Sequence, residues 1–443
     1  MSRLATVKSF LRIMGAIYAI AFVSFGVQAP GLVGSHGILP AGAFLGAVRE
    51  ALGARGYWYF PTVLWLRSGD WELTAVWIAG AILGLAALGG WVQRAALGGC
   101  WVLWLSICSV GQDFLSFQWD MLLLEAGFLS MFAGKTLLRV WLFRLLIFRL
   151  MFSSGVVKLA SGDAVWRNLT AMSFHYETQP LPTPLGWWMF QLPGWFQRAT
   201  TLLVFVVELV VPFLFLMPRR LRVIGAWITI GFQVLILLTG NYAYFNWLTI
   251  ALCLWLFIEA ERKVTWGGVA LAIPIGLLSL TALGELVGVP IPEIAGRLAG
   301  FAGPLRIVNG YGLFAVMTTT RPEIQVEGSN DGETWLAYEF RYKAGDVRRA
   351  PPIVAPHQPR LDWQMWFAAL GSYRQNRWFI RFVEKLLRGE PAVLRLLARN
   401  PFPGTPPKYI RARLFQYHFT RFGEGWWWRR EEQGMYLPRV SLE

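Results

Sequence analysis

The sequence predicts a polytopic α-helical membrane bundle of about nine hydrophobic segments, followed by a C-terminal, mostly β extramembrane domain. Three observations predict it. Hydrophobic residues make up 55% of the 443 and charged residues only 15%, well below the roughly 25% of ordinary soluble domains. Apolar runs close to the length a bilayer requires recur as far as residue 288. From about residue 300 the texture changes to alternating, turn-punctuated segments rich in charge. The formal net charge is +15, but much of it flanks apolar runs, where Lys and Arg set topology. No RNP-like, helix-turn-helix or zinc-finger pattern accompanies it, so nucleic acid is not an expected partner.

Residues 10–28 form the first span. Arg3 and Lys8 precede it and place the N-terminus in the cytoplasm. The span lacks a small-x-small cleavage site and reads as a retained helix. A loop over 29–72 follows, punctuated by GLVGSHGILP and YWYFPTVLWL. Spans are expected at about 73–90 and 96–116, then a shorter helix at about 119–133 and another span at about 137–157. After a long loop over 158–198, spans return at about 199–217, 222–239, 243–259 and 265–288. The short basic loops hold Arg94, Lys135 with Arg139, Arg219 to Arg222, and Arg262 with Lys263. If the 119–133 segment crosses, all of them lie on the cytoplasmic side. The same arithmetic puts both long loops and the C-terminal domain on the opposite face. Cys100, Cys108 and Cys253 fall inside helices and read as small buried hydrophobes.

The membrane domain is thus expected over 1–290 and the β-rich domain over 300–443. In the latter, EIQVEGSNDGETWLAYEFRYK alternates around an Asn-Asp-Gly turn, a hairpin signal. DWQMWFAALGSYR and the region near 376–399 read as helix, and KYIRARLFQYHFT as strand. Asp362, Trp363, Gln364 and Trp366 read as packing and capping groups or as client contacts. Trp426, Trp427 and Trp428, with Arg429 and Arg430, suit the headgroup layer.

Chemistry-bearing residues concentrate between Arg139 and Trp188. Lys158 ends an apolar helix. It is expected to snorkel or pair with an opposite charge, the functional alternative being a desolvated base. Asp163 is expected to cap the next helix or to fix Lys158. His175, Tyr176 and Glu177 form a polar trio in the extended loop, suited to a hydrogen-bonded network or to acid/base work. Charges inside apolar spans are costly unless paired. Asp113, Asp120 and Glu125 are therefore expected to pair with Arg144 and Arg149 on the next helix. Glu208 has no cation near it in sequence and should face the bundle. With four His in all and one in this run, no zinc-ligand spacing exists. No nucleophile elbow, phosphate loop or dinucleotide fingerprint occurs, so no cofactor is expected.

GLVGSHGILP, FQWDMLLLEAGFL, GVVKLASGDAVWRNLTAMSFHYETQPLPTPLGWW, GNYAYFNWLT and PRLDWQMWFAAL resemble, in order, blocks of the lipase maturation factor family. The resemblance implies a membrane protein that helps secreted lipases fold, assemble and leave, with the C-terminal domain lumenal. Its partners would be membrane lipids and secreted clients such as lipases. Ala/Gly/Arg-rich usage suggests a bacterial homologue, in the inner membrane; a eukaryotic one would sit in the endoplasmic-reticulum membrane. GVVKLASGDAVW also resembles a block of the vitamin-K-dependent carboxylase, whose lysine at the place of Lys158 acts as a base. FQWDMLLLEAGFL departs from that enzyme by lacking its His. The second resemblance implies an alternative, a membrane enzyme on a lipid or quinone-like substrate with His175 or Glu177 assisting.

Overall fold

The computed structural model describes residues 3–442, and the side chains of residues 3–6, Arg3 among them, lie outside what it describes. Its membrane part is built from α1 (Arg3–Gly26), α2 (Asp70–Gly89), α3 (Gln93–Val110), α4 (Gln118–Met131), α5 (Leu137–Ala160), α6 (Ala171–Thr178), α7 (Gly194–Leu214), α8 (Arg219–Thr239), α9 (Phe245–Phe257) and α10 (Trp266–Leu286). Among the described residues, six helices are long and apolar enough to cross a membrane: α1 from Val7, α2, α5, α7, α8 and α10. α4 and α9 are shorter, and α3 opens on polar Gln93 and Arg94. Close packing follows from small residues, as expected where hydrocarbon gives helices no reason to associate by burial alone. At the α1–α2 crossing a Cβ on Gly84 would meet the Ala19 nitrogen at 2.8 Å. Glycine there lets the two backbones touch.

The basic loops gather at one end of the bundle. Arg94 donates to the Ala133 carbonyl at 2.6 Å, the Glu261 amide to Lys135 at 2.8 Å and the Leu137 amide to Lys263 at 3.2 Å. Arg222 meets Glu259 at 2.7 Å. The C-terminal part docks on the other end. Ser24 contacts His357 at 2.9 Å, Gln28 donates to the Gln358 carbonyl at 2.8 Å, and Asn241 donates to the Pro352 carbonyl at 2.9 Å.

The C-terminal part holds a four-stranded antiparallel sheet in the order β2-β1-β3-β4, made of β1 (Pro322–Ser329), β2 (Leu336–Ala337), β3 (Tyr409–Phe419) and β4 (Trp428–Val440). The expected hairpin forms β1–β2. Asp331 accepts from the Glu333 and Thr334 amides at 2.9 and 2.8 Å, which holds its carboxyl well below the usual range. Helices α11 (Arg360–Ala369) and α12 (Arg377–Leu387) lie between β2 and β3 in sequence. The expectation of a mostly β domain is corrected here: the sheet is small, and helices and loops make up the rest. Trp428, expected at the headgroups, is 3% exposed and packs edge-on to Tyr417 at 6.0 Å. Charge on β4 hid that strand, because the exposed edge of a sheet favours charged side chains.

The stretch read as an extended loop is largely helical, with Ala164–Arg167, α6 and Pro184–Phe190 preceding α7. Their signals are local caps: Asp163 accepts from the Val165 amide at 2.9 Å and Thr183 from the Gly186 amide at 3.1 Å. Such short helices carry no periodic apolar run to read.

Candidate functional site

Lys158 lies in the last turn of α5, 4% exposed. Its ammonium donates to both oxygens of Glu208, at 3.0 and 2.8 Å, and to the Ser154 carbonyl at 2.9 Å. The Trp166 ring covers it at 5.3 Å. Glu208 reaches it from a π turn, Val206–Val210, inside α7. Pro212 lies four residues after Glu208 and has no amide to donate to that carbonyl, which favours the wider turn. Gly155 completes the fit, since a Cβ there would meet a Leu209 methyl at 2.7 Å and Glu208 Cβ at 3.0 Å. Fifty residues separate the partners, a distance at which sequence pattern carries no pairing signal.

Beside this ion pair lies a cavity of about 560 Å³, lined by apolar residues of α5, α7 and α8 with His175, Gln233, Tyr242, Asn246 and Phe314 among its polar and aromatic walls. Its lips include Leu203 of α7 and Leu235 of α8, 43% and 52% exposed. His175 meets the Tyr242 hydroxyl at 3.3 Å, and that hydroxyl donates to Gln179 at 2.9 Å. With the hydroxyl hydrogen so directed, the imidazole carries its hydrogen on Nε2. Burial, reinforced by the Lys158 charge, lowers the His175 pKa to about 4, so the ring is neutral near pH 7. Phe314 closes one side at φ +54°, a left-handed conformation uncommon for a phenylalanine. Its ring stands edge-on to His175 at 4.8 Å. Phe314 also borders a second cleft of about 530 Å³ beneath the C-terminal part.

The structure brings Lys158, His175, Tyr176 and Glu208 to one cavity and sends Asp163 and Glu177 elsewhere. Asp163 does not meet Lys158; it caps its helix and accepts from the Met317 amide at 2.7 Å. Glu177 points to the sheet, accepting from the Phe419 amide at 2.7 Å and lying 3.3 Å from His418. Burial raises its carboxyl pKa against those contacts.

The expected intramembrane pairing is corrected in part. Arg149 pairs with Glu125 and donates to Ser279 at 2.9 Å. Glu125 also accepts from the Tyr311 hydroxyl at 2.7 Å. Asp120 instead binds Arg360 of α11 through two 2.9 Å contacts, with Tyr244 donating at 2.6 Å. Arg144 meets no carboxylate among the described residues; it donates to the Ile258 and Trp255 carbonyls at 2.5 and 3.4 Å. Asp113 is exposed and offers its backbone carbonyl to Gln364. The residues read as client contacts are covered. Asp362, Trp363, Gln364 and Trp366 are between 3% and 7% exposed. Asp362 accepts from the Tyr342 and Lys343 amides at 2.8 and 2.9 Å, and Trp363 stacks edge-on to Trp119 at 4.7 Å. Trp366 donates to the Thr178 carbonyl at 2.9 Å. Trp363, Gln364 and Trp366 join the two parts of the chain, while Asp362 holds the C-terminal part's own backbone.

Two arginines at the heart of that junction were missed. Arg360 is 1% exposed and Arg321 0%. Arg321 donates to the Glu177, Gln179 and Pro180 carbonyls at 2.8, 2.5 and 2.9 Å. The one hint was that each stands beside a Pro, at Arg321-Pro322 and Pro359-Arg360, as chain entering or leaving a regular element often does. Among the described residues no group of three His, Cys, Asp or Glu side chains is placed to hold a metal.

Comparison with known families matches residues 5–264 to the Lipase maturation factor transmembrane domain and residues 307–438 to the Lipase maturation factor C-terminal domain. Lipase maturation factor 1 of Bos taurus is 36% identical, over 98% of this chain and 88% of that protein. Lipase maturation factor 2 of Homo sapiens is 35% identical, over 98% of this chain and 82% of that one. The Gallus gallus protein of that name is 35% identical over 98% and 81%. No solved structure matches the chain.

Proposed function

Since the chain belongs to the lipase maturation factor family, we propose that it is an integral membrane protein assisting the folding, assembly or export of secreted clients, lipases among them. The observation that carries this reading is 36% identity across 98% of the chain, which takes in both the bundle and the C-terminal part. The reading divides the chain into a membrane domain, 1–290, and a non-cytoplasmic domain, 300–443. It takes about nine crossings, α3, α4 and α9 included, with the basic loops cytoplasmic. Support comes from the hydrogen bonds that gather those loops at one end while the C-terminal part docks on the other. The host membrane is the endoplasmic reticulum in a eukaryote and the inner membrane in a bacterium.

Client contact falls to the outward face of the C-terminal domain, because Asp362, Trp363, Gln364 and Trp366 are buried, the last three at the junction. The enzyme alternative has less support. A lysine acting as base needs a free lone pair, whereas the Lys158 hydrogens are directed at Glu208 and Ser154. The test is functional rescue. In cells without a maturation factor of their own, the chain is expected to restore secretion of active lipase and to co-purify with it. Normal membrane expression with the lipase still inactive and retained would sink the proposal.

A further inference from the structure

The cavity beside Lys158 has an unused hydrogen-bonding group. Asn246 is 0% exposed and lines the cavity. Its amide nitrogen donates to Gln233 at 2.8 Å, and in that orientation Oδ1 is the atom left over. That Oδ1 has no hydrogen-bond partner. A buried acceptor without a partner costs on the order of 1–3 kcal/mol. Such a group in a ligand-sized space points to a donor that the protein itself does not supply.

Three further features narrow what that donor belongs to. The volume, about 560 Å³, is within the usual range of roughly 300–1,000 Å³ for small-molecule sites. The way in passes between Leu203 and Leu235, on two helices long and apolar enough to span the bilayer, so a ligand arrives from the hydrocarbon side. The one ammonium of the wall is already matched by Glu208 at 2.8 Å, and His175 is neutral. An ionised head would therefore meet no uncompensated charge and would lose its hydration.

We propose that this cavity binds a neutral, hydroxyl-bearing lipid of the monoacylglycerol or long-chain alcohol class, its chain entering between α7 and α8 and its hydroxyl donating to Asn246 Oδ1. The ion pair then serves as a charge-neutral wall. Phe314 forms the end of the cavity toward the cleft beneath the C-terminal domain, so the occupant lies against a residue shared by both spaces.

The test is photolabelling of the full chain in phosphatidylcholine vesicles, using a monoacylglycerol with a diazirine midway along its chain. Labels are expected on cavity-facing residues of α5, α7 and α8, and unlabelled monoacylglycerol should compete. Its dimethyl ether, in which both free hydroxyls are blocked and neither can donate, should compete about tenfold less well. Asn246→Leu should abolish that difference while leaving the labelling. Ala199→Trp and Leu235→Trp change exposed positions on opposite lips and should each cut labelling at least tenfold, with the thermal midpoint unchanged as a check on folding. Labelling confined to outward-facing residues, or unchanged in both folded lip variants, overturns the site. Equal competition by the dimethyl ether or by a fatty-acid anion overturns the neutral, donating head.

Discussion

At the scale of single residues, the buried charges set the hierarchy. Arg360 and Asp120 are 1% and 0% exposed and meet through two contacts of 2.9 Å. Removing one member leaves the other buried and unpaired. Asp120→Ala or Arg360→Ala should each therefore cost about 3–5 kcal/mol. A double Asp120→Leu/Arg360→Met variant should recover a large part of it. Thermal unfolding in detergent measures both, and strictly additive losses would refute the pairing as the cause. His175 makes a separate prediction. Burial, and then Lys158, lower its pKa to about 4, against about 6.5 in an unfolded chain. Between those values the unfolded state binds a proton that the folded state does not, so stability falls as pH drops from about 6.5 toward 4. His175→Gln should flatten part of that slope, and parallel midpoint-versus-pH curves for the two proteins would refute it. Asp120, Glu125, Arg149, Lys158 and Glu208 were all legible as suspects, because charge inside an apolar run is visible in one dimension. Which of them meet was not. Arg149 with Glu125 could be reached from neighbouring helices, whereas Lys158 with Glu208 and Arg360 with Asp120 depend on folding in three dimensions.

At the scale of elements, apolar runs made the long helices readable, and the Asn-Asp-Gly turn made the β1–β2 hairpin readable. Short capped helices between 164 and 190 were not, since one turn carries no period. Neither was the π turn of α7, which depends on Pro212 and on the neighbouring surface of α5. That surface is where Gly155 sits, and it gives the element-scale prediction. Gly155→Val would push against Leu209 and Glu208 Cβ, costing about 1–3 kcal/mol through overpacking. It should also weaken monoacylglycerol photolabelling by displacing Glu208 and the cavity wall with it. A Gly155→Val protein with native midpoint and labelling would show that the close approach is not needed.

At the scale of the whole molecule, the two parts are interlocked. Arg321, Arg360, Trp366 and Gln364 of the C-terminal part bind groups of the membrane part, and Tyr311 reaches Glu125 inside the bundle. Unfolding should accordingly show one cooperative transition. A chain ending at residue 300 should lose most of its thermal stability in detergent, because Asp120 and Glu125 lose their C-terminal partners; two resolved transitions in the full chain would argue the reverse. Sidedness is testable in the same protein. With Cys100, Cys108 and Cys253 changed to Ala, single cysteines replacing Lys263 and Gly404 should react with an impermeant maleimide from opposite faces of a sealed vesicle. Loop charges predict this arrangement from the sequence alone. The interlock was not legible there, because an arginine in a proline-rich connector looks like surface until its partner is found.

The Arg360–Asp120 contact spans 240 residues of chain, and that separation has a meaning in time as well as in space. At translation speeds of roughly 5–20 residues per second, Asp120 leaves the ribosome some 10–50 seconds before Arg360 exists. Through that interval the carboxylate has no guanidinium to meet, and the early helices are held short of their final arrangement. Completion of the bundle thus waits for the last third of the chain to be made and docked. A molecule truncated by a premature stop would carry that unmet carboxylate as a lasting mark of incompleteness.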